Sequence, residues 1–315
     1  MTAFKEKDNT ALFLSAVRTG KIEGRNFESL NLNGAPVLNA TFTDLFLQGD
    51  FGESLFQDIF FRKCSLFGNF IRATFRNVEF TDVEFSDCFL ENALFLDCVF
   101  NNVNFKNASL SRAAFLKGKF QEKVLFELSD LSSGTFLDCS FSKLSLENLK
   151  LDNCSFIRSS FETALISGCA GLNLQLSETT IPEFFVLKSS LPYANFAKTD
   201  LSGAKFEESD LSGAFFSGSS LKNSVFLKIP LGKAIFGQAD LENADLSGND
   251  LVGADFSRAL MKNASLKGAD LSYANFHRAA GVNFLNCGAA TVKNARGDDP
   301  DLHRAEDFIP FVKNS

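Results

Sequence analysis

Tryptophan is absent from these 315 residues, and tyrosine, histidine and methionine occur only twice each. Two histidines leave little from which to build an imidazole metal centre or acid–base site. Neither His277 nor His303 stands near a nucleophile-like motif, and there is no glycine loop of the kind that cradles phosphate. No stretch approaches the ~20 apolar residues of a membrane span. The early apolar run from Ala11 to Val17 is short, follows Glu6 and Asp8, and lacks a small-x-small cleavage site, so a soluble cytoplasmic protein is expected. Basic residues are not in excess: 31 Lys and Arg stand against 38 Asp and Glu, a net charge of −7. That balance argues against a general binder of nucleic acid or of anionic membranes. The expectation is a protein with no enzymatic site, cofactor or bound metal.

Phenylalanine is abundant, with 38 copies, and 26 of them fall on a five-residue beat. A large apolar residue occupies every fifth place and a small one sits two positions before it. Phe56, Phe75, Phe95, Phe115, Phe136, Phe156, Phe196, Phe216, Phe236, Phe256 and Phe276 form one column with a period close to 20, interrupted only at Leu176. Four units of five therefore describe one lap of a four-walled tube. The expected fold is an all-β solenoid of about 13 coils, about 60 Å long at a strand spacing of ~4.8 Å.

The beat begins at Phe27. It loses one residue between Leu47 and Phe51, loses another between Leu66 and Phe70, and gains one between Phe120 and Phe126. If these shifts are local corner events, the column stays on one wall. Residues 1–24 are expected to form a helical cap, started by Asp8, ended by Gly20 and apolar along Leu12, Phe13 and Ala16. Residues 25–295 form the repeat. Within it, residues 171–190 are irregular, with Gly171 in a large slot, Phe184 in a small one and Pro182 between; a distorted lap is favoured over an extruded loop. After Phe276 the beat continues shifted by one, through Val282, Cys287 and Val292. Residues 296–315 form a tail, expected to be a short helix that caps or dimerises.

Six of seven cysteines, Cys64, Cys88, Cys98, Cys139, Cys154 and Cys169, stand two places before a beat position, where small buried residues belong. Neither C-x-x-C spacing nor a shared wall in neighbouring laps suggests zinc or disulfides. Outward positions read as polar, and His277, directly after a beat position, is expected to point out. Asn or Asp before the large residue, as at Asn195, Asp200, Asp210, Asp245 and Asp255, is expected to bond to backbone at the turn.

Runs such as Ala239-Asp240-Leu241-Glu242-Asn243-Ala244-Asp245-Leu246-Ser247-Gly248 resemble the A-D/N-L-x-x motif of the pentapeptide-repeat family over about residues 25–280. The resemblance implies a right-handed quadrilateral β-helix. Its best-known members bind DNA gyrase or topoisomerase IV as mimics of duplex DNA; others are cyanobacterial regulators or bacterial effectors.

Two acidic stretches bear on mimicry. Residues 77–105 carry Glu79, Asp82, Glu84, Asp87, Glu91 and Asp97, and residues 234–257 carry Asp240, Glu242, Asp245, Asp250 and Asp255, with no basic residue in either stretch. The first set is the candidate partner-binding surface. Yet duplex DNA about 60 Å long carries about 35 charges, and consecutive beats turn a corner, so each set is expected to ring the tube. The preferred expectation is a non-enzymatic scaffold for a protein partner, without direct nucleic-acid or membrane binding, with homodimerisation through the C-terminal end. A topoisomerase-binding DNA mimic and a secreted bacterial effector or adaptor are the alternatives.

Overall fold

In the computed structural model of the chain, the described residues are 9–282 and 288–301. They form a solenoid of parallel coils behind one short helix, α1 (Asn9–Val17). The Asp8 cap, Cys287, His303 and the tail beyond Asp301 lie outside the described residues.

Four ladders run the length of the tube. On the first wall, Val37 pairs with Phe56, Phe56 with Phe75, Phe75 with Phe95, and so on through Phe115, Phe136 and Phe156. Isolated bridges continue it through Gln175, Asn195, Phe215, Ile235, Asp255 and Asn275 to Arg296. The second wall carries Phe61, Phe80, Phe100 and Phe120; the third carries Leu66, Phe85 and Phe105; the fourth carries Phe51, Phe70 and Leu90. Carbonyl and amide groups pair between laps, so the short segments need no hairpins.

The ladder spacing fixes the core. Rings of the first wall lie nearly parallel on one another, with Phe95–Phe115 centroids 4.5 Å apart and planes 2° apart, and Phe216–Phe236 5.0 Å and 4° apart. Rings on adjoining walls meet edge to face, as in Phe75–Phe80 at 5.6 Å and 65°. Both geometries are favourable for aromatic quadrupoles. Turns between walls place the second residue after most large ones in the left-handed region, as at Asp82 (φ 55°), Asn92 (φ 58°) and Arg112 (φ 58°). Asn, Asp and Gly reach that region most easily. At many corners the preceding carboxylate or amide accepts a backbone N–H two residues on: Asp200 from Ser202, Asp210 from Ser212, Asp245 from Ser247 and Asn195 from Ala197, all at 2.9–3.1 Å.

The frame shifts are local. Pairing slips between Phe27 and Leu30, between Phe67 and Gly68, and between Asn101 and Val103, and the walls resume beyond each slip. Two shortened turns stack at one corner and bring backbones together. A β-carbon on Gly68 (φ 106°) would run into the Gly49 carbonyl, and one on Gly49 would run into Leu30. Only glycine permits that approach.

Residues 171–190 remain in the stack, bridged below and above at Ala170↔Ser190, Gln175↔Asn195 and Thr180↔Asp200. Gly171 puts no side chain in its large slot, and Leu151 closes up to it, so that a β-carbon there would lie 2.8 Å from the Leu151 β-carbon. The bulk returns as Phe184, buried, whose ring lies 6.0 Å from Phe196 and 5.8 Å from Phe206.

The N-terminal end is closed by Phe13, fully buried, with its ring 5.2 Å from Phe27 and 5.7 Å from Phe42. Two details differ from the sequence reading. Leu12 is exposed, and Leu14 and Val17 join Phe13 and Ala16 against the core instead, because the helix lies across the end of the tube. The ladder also starts one unit earlier, with Ile22 buried and paired with Phe42. Gly20 (φ 76°) ends α1 by donating to Val17 O at 2.9 Å.

Candidate interaction surfaces

A tube filled by side chains has its chemistry on its outside. Among the described residues no group of His, Cys, Asp and Glu is arranged to hold a metal ion. The concavities are open troughs, such as one along the third wall lined by Lys63, Asp82, Glu84, Asn102 and Lys123.

The cysteines belong to the interior. All six are buried and free, and five donate a weak bond to a carbonyl of the lap below, as Cys88 Sγ does to Leu66 O at 3.1 Å. Burial pushes the Cys98, Cys139 and Cys154 thiols up to about 12.

The acidic set of residues 77–105 does not gather on one side. Glu79 lies on the second wall, in register with Val99; Glu84 lies on the third, in register with Asn104. Asp82 and Asp87 stand at the two following corners, where they accept bonds from Asn102 and Asn107 of the next lap at 2.6 and 2.5 Å. Glu84 accepts from Ser86, and Glu79 from Thr81 at 3.4 Å. Glu91 stands beside Leu90 on the fourth wall, and Asp97 at the corner after Phe95. In the second set, Asp240, Asp245, Asp250 and Asp255 each bond a backbone N–H at their own corner, and Glu242 pairs with Lys262 at 2.8 Å.

His277 is buried, against the expectation that it points outward. The continuing chain covers it: Asp299 N–H donates to Nδ1 at 3.1 Å and Asp298 Oδ1 lies 3.0 Å away. Residues 21 and 22 positions downstream decide its environment, so its place in the beat does not.

The outward positions are also not uniformly polar. On the first wall, strands Leu94–Leu96, Ala114–Leu116, Thr135–Leu137 and Ser155–Ile157 lie in register. Their inward rings are the Phe column. Leu96, Leu116, Leu137 and Ile157 point the other way and form an aliphatic file on the outside, with Leu94 and Ala114 beside it, all partly exposed. An aliphatic residue directly after each Phe, in the triads Leu-Phe-Leu, Ala-Phe-Leu, Thr-Phe-Leu and Ser-Phe-Ile, was the available signal. The adjoining corner presents Asp97, Lys117, Asp138 and Arg158, all exposed. Arg158 holds Asp138 through two bonds at 2.8 and 3.1 Å, and this contact lowers the carboxyl below its ordinary value.

No curated protein matches the chain. Among solved structures, HetL, a pentapeptide repeat protein involved in heterocyst differentiation regulation in the cyanobacterium Nostoc sp., is 18% identical over 90% of this chain and 92% of its own, with a TM-score of 0.20. A pentapeptide repeat protein from the cyanobacterium Cyanothece is 24% identical over 43% and 88%, with a TM-score of 0.20. QnrB1, a plasmid-mediated fluoroquinolone resistance protein, is 15% identical over 77% and 96%, with a TM-score of 0.19. Residues 79–115, 189–226, 231–263 and 250–280 match the family of pentapeptide repeats, in eight copies. With the same five-residue unit paired lap upon lap between and beyond those segments, the solenoid is built of pentapeptide repeats.

Proposed function

We propose that the protein is a non-catalytic scaffold that works in the cytosol by presenting its walls to a protein partner. The observation that carries this reading is the aliphatic file Leu96–Leu116–Leu137–Ile157, four partly exposed side chains in register on the outside of one wall. Contiguous exposed apolar surface with a polar rim is characteristic of interaction sites. A filled tube with open troughs supports surface recognition over chemistry. The scatter of Glu79, Asp82, Glu84, Asp87, Glu91 and Asp97 around the tube, and the tying of Asp82 and Asp87 to their neighbours, weigh against mimicry of a duplex, whose charge follows one continuous track.

The test is affinity capture from the native cell with the wild-type chain and with Leu116→Glu/Leu137→Glu. Proteins retained by the first and lost by the second are expected. Identical retention by both would remove the aliphatic file from the reading. A gyrase supercoiling assay with and without a quinolone, expected to show neither inhibition nor protection, separates the scaffold from the DNA mimic.

A further inference from the structure

We propose that the outer face of the first wall pairs with the same face of a second copy of this chain, the two tubes running antiparallel. This rests on the reading of that wall as an interaction surface and names its occupant.

The symmetry of the file carries the proposal. A two-fold axis lying in the plane of the wall and across the tube, midway between the Phe115 and Phe136 laps, reverses the order of laps. It keeps each corner on its own side. Leu116 then faces Leu137 of the second copy, and Leu96 faces Ile157. The file is self-complementary about its own centre, as an isologous interface requires.

The charged corner obeys the same axis. Its residues one lap apart are Asp58, Asn77, Asp97, Lys117, Asp138, Arg158, Glu178 and Lys198. Reversal sets Lys117 against Asp138, Asp97 against Arg158 and Asp58 against Lys198, and it sets Asn77 against Glu178. No like charges meet. At the opposite corner of the wall, Arg112 falls against Ser133, and Arg72 against Asn173, again without repulsion. Shifting the register by one lap would bring Asp97 to Asp138 and Lys117 to itself. Shifting it by two would preserve the charges but slide the aliphatic file off its own centre. Apolar and charged residues together select one alignment.

The area is sufficient. Eight overlapping laps at ~4.8 Å and a wall five residues wide at ~3.3 Å give a face of about 34 by 17 Å. The two copies then bury roughly 1,200 Å² together, the lower bound of stable protein interfaces. A dimer of micromolar strength is expected rather than an obligate one.

Sedimentation equilibrium on the full chain, over roughly 1–300 µM, reads the association directly. A concentration-dependent dimer is expected, and a monomer throughout overturns the proposal. Leu116→Glu/Leu137→Glu is expected to be monomeric, and a dimer of undiminished strength in this variant places the contact elsewhere and overturns it too. Charge reversal keeps the test sound if that variant unfolds. Lys117→Glu alone and Asp138→Lys alone each put like charges in contact across the axis and should weaken association by on the order of tenfold. Mixing the two variants makes every cross-axis pair opposite, so the mixture should associate as the wild type does. A change confined to one chain's own column cannot be rescued by mixing; absence of rescue sinks the antiparallel register. If the wild type is monomeric while affinity capture still depends on Leu116 and Leu137, the second copy is excluded and the scaffold reading stands with another protein on that face.

Discussion

Phe115 lies 4.6 Å from Phe136 with ring planes 1° apart, the most nearly parallel pair in the tube. The extra residue between Phe120 and Phe126 falls between them in the chain, yet the stack passes it undisturbed. Phe115 also touches Phe95, Phe100, Phe105 and Phe120. Its truncation opens a hole that rigid ladders on four sides cannot collapse around. Phe115→Ala is expected to cost about 3–5 kcal/mol in urea denaturation.

The lap at Leu176 predicts a coupled pair. There the column lacks its ring, and Phe184 restores volume from a slot filled elsewhere by small residues. Leu176→Phe alone is expected to overpack the lap and cost about 1–3 kcal/mol. With Phe184→Ala added, the loss should be smaller than the sum of the two single losses. A double-mutant cycle from thermal or chemical melts measures the coupling; strict additivity would disprove the compensation.

Gly68 predicts a backbone penalty without loss of any contact. Its φ of 106° is outside what an L-residue adopts, and the Gly49 carbonyl occupies the space of a β-carbon. Gly68→Ala should lower stability by about 1–3 kcal/mol. Gly248→Ala, at a φ of 69° with open space around it, should cost less than Gly68→Ala. Melting temperatures of the two variants make the comparison.

Thiol titration reports the integrity of the core. Six cysteines are buried, with burial raising their pKa values, so they are expected to react slowly with a disulfide reagent at pH 8 in the native state. All seven thiols of the chain should react promptly in denaturant. Rapid native modification of Cys98 or Cys154, read by peptide mass, would contradict the buried assignment.

Acid should loosen the corners. Asp50 is held below its ordinary value of 3.8, first by the Gly52 N–H and then by Asn33 and Asn69, against the opposing effect of burial. Asp138 is held down by the hydrogen bond from Arg158, and Asp58 by that from Asn77. A carboxylate with a depressed folded pKa stabilises the fold above its unfolded value and loses that contribution as pH falls through the folded value. Melting temperature is therefore expected to be level in this respect above about pH 5 and to fall below about pH 4. Asp50→Asn should lower stability near neutrality and flatten the acid limb.

The core was legible in the sequence because a ladder repeats its inward demand every lap. Phe75 and Phe256 face the same neighbours, so one spacing describes both. The frame shifts were legible for the same reason, since a lost residue at Gly49 or Gly68 displaces all later beats until a wall is recovered. The outside carries no such demand. Leu116 and Lys119 occupy outward positions with equal backbone tolerance, and a rule of polar exteriors hid the file that Leu116 belongs to. His277 was illegible for another reason: its burial depends on Asp298 and Asp299, which reach it only through the shifted last lap.

The uneven distribution of rings has a mechanical consequence. Three aromatic files run side by side up to Phe126 and two up to Phe161, whereas beyond Phe226 only the first wall carries one. Energy in such an array passes only between adjacent repeats. Pulled or heated, the molecule should therefore unravel from its carboxyl-terminal side, as a zipper whose teeth are coarser at one end, and amide exchange should record that gradient along the rod.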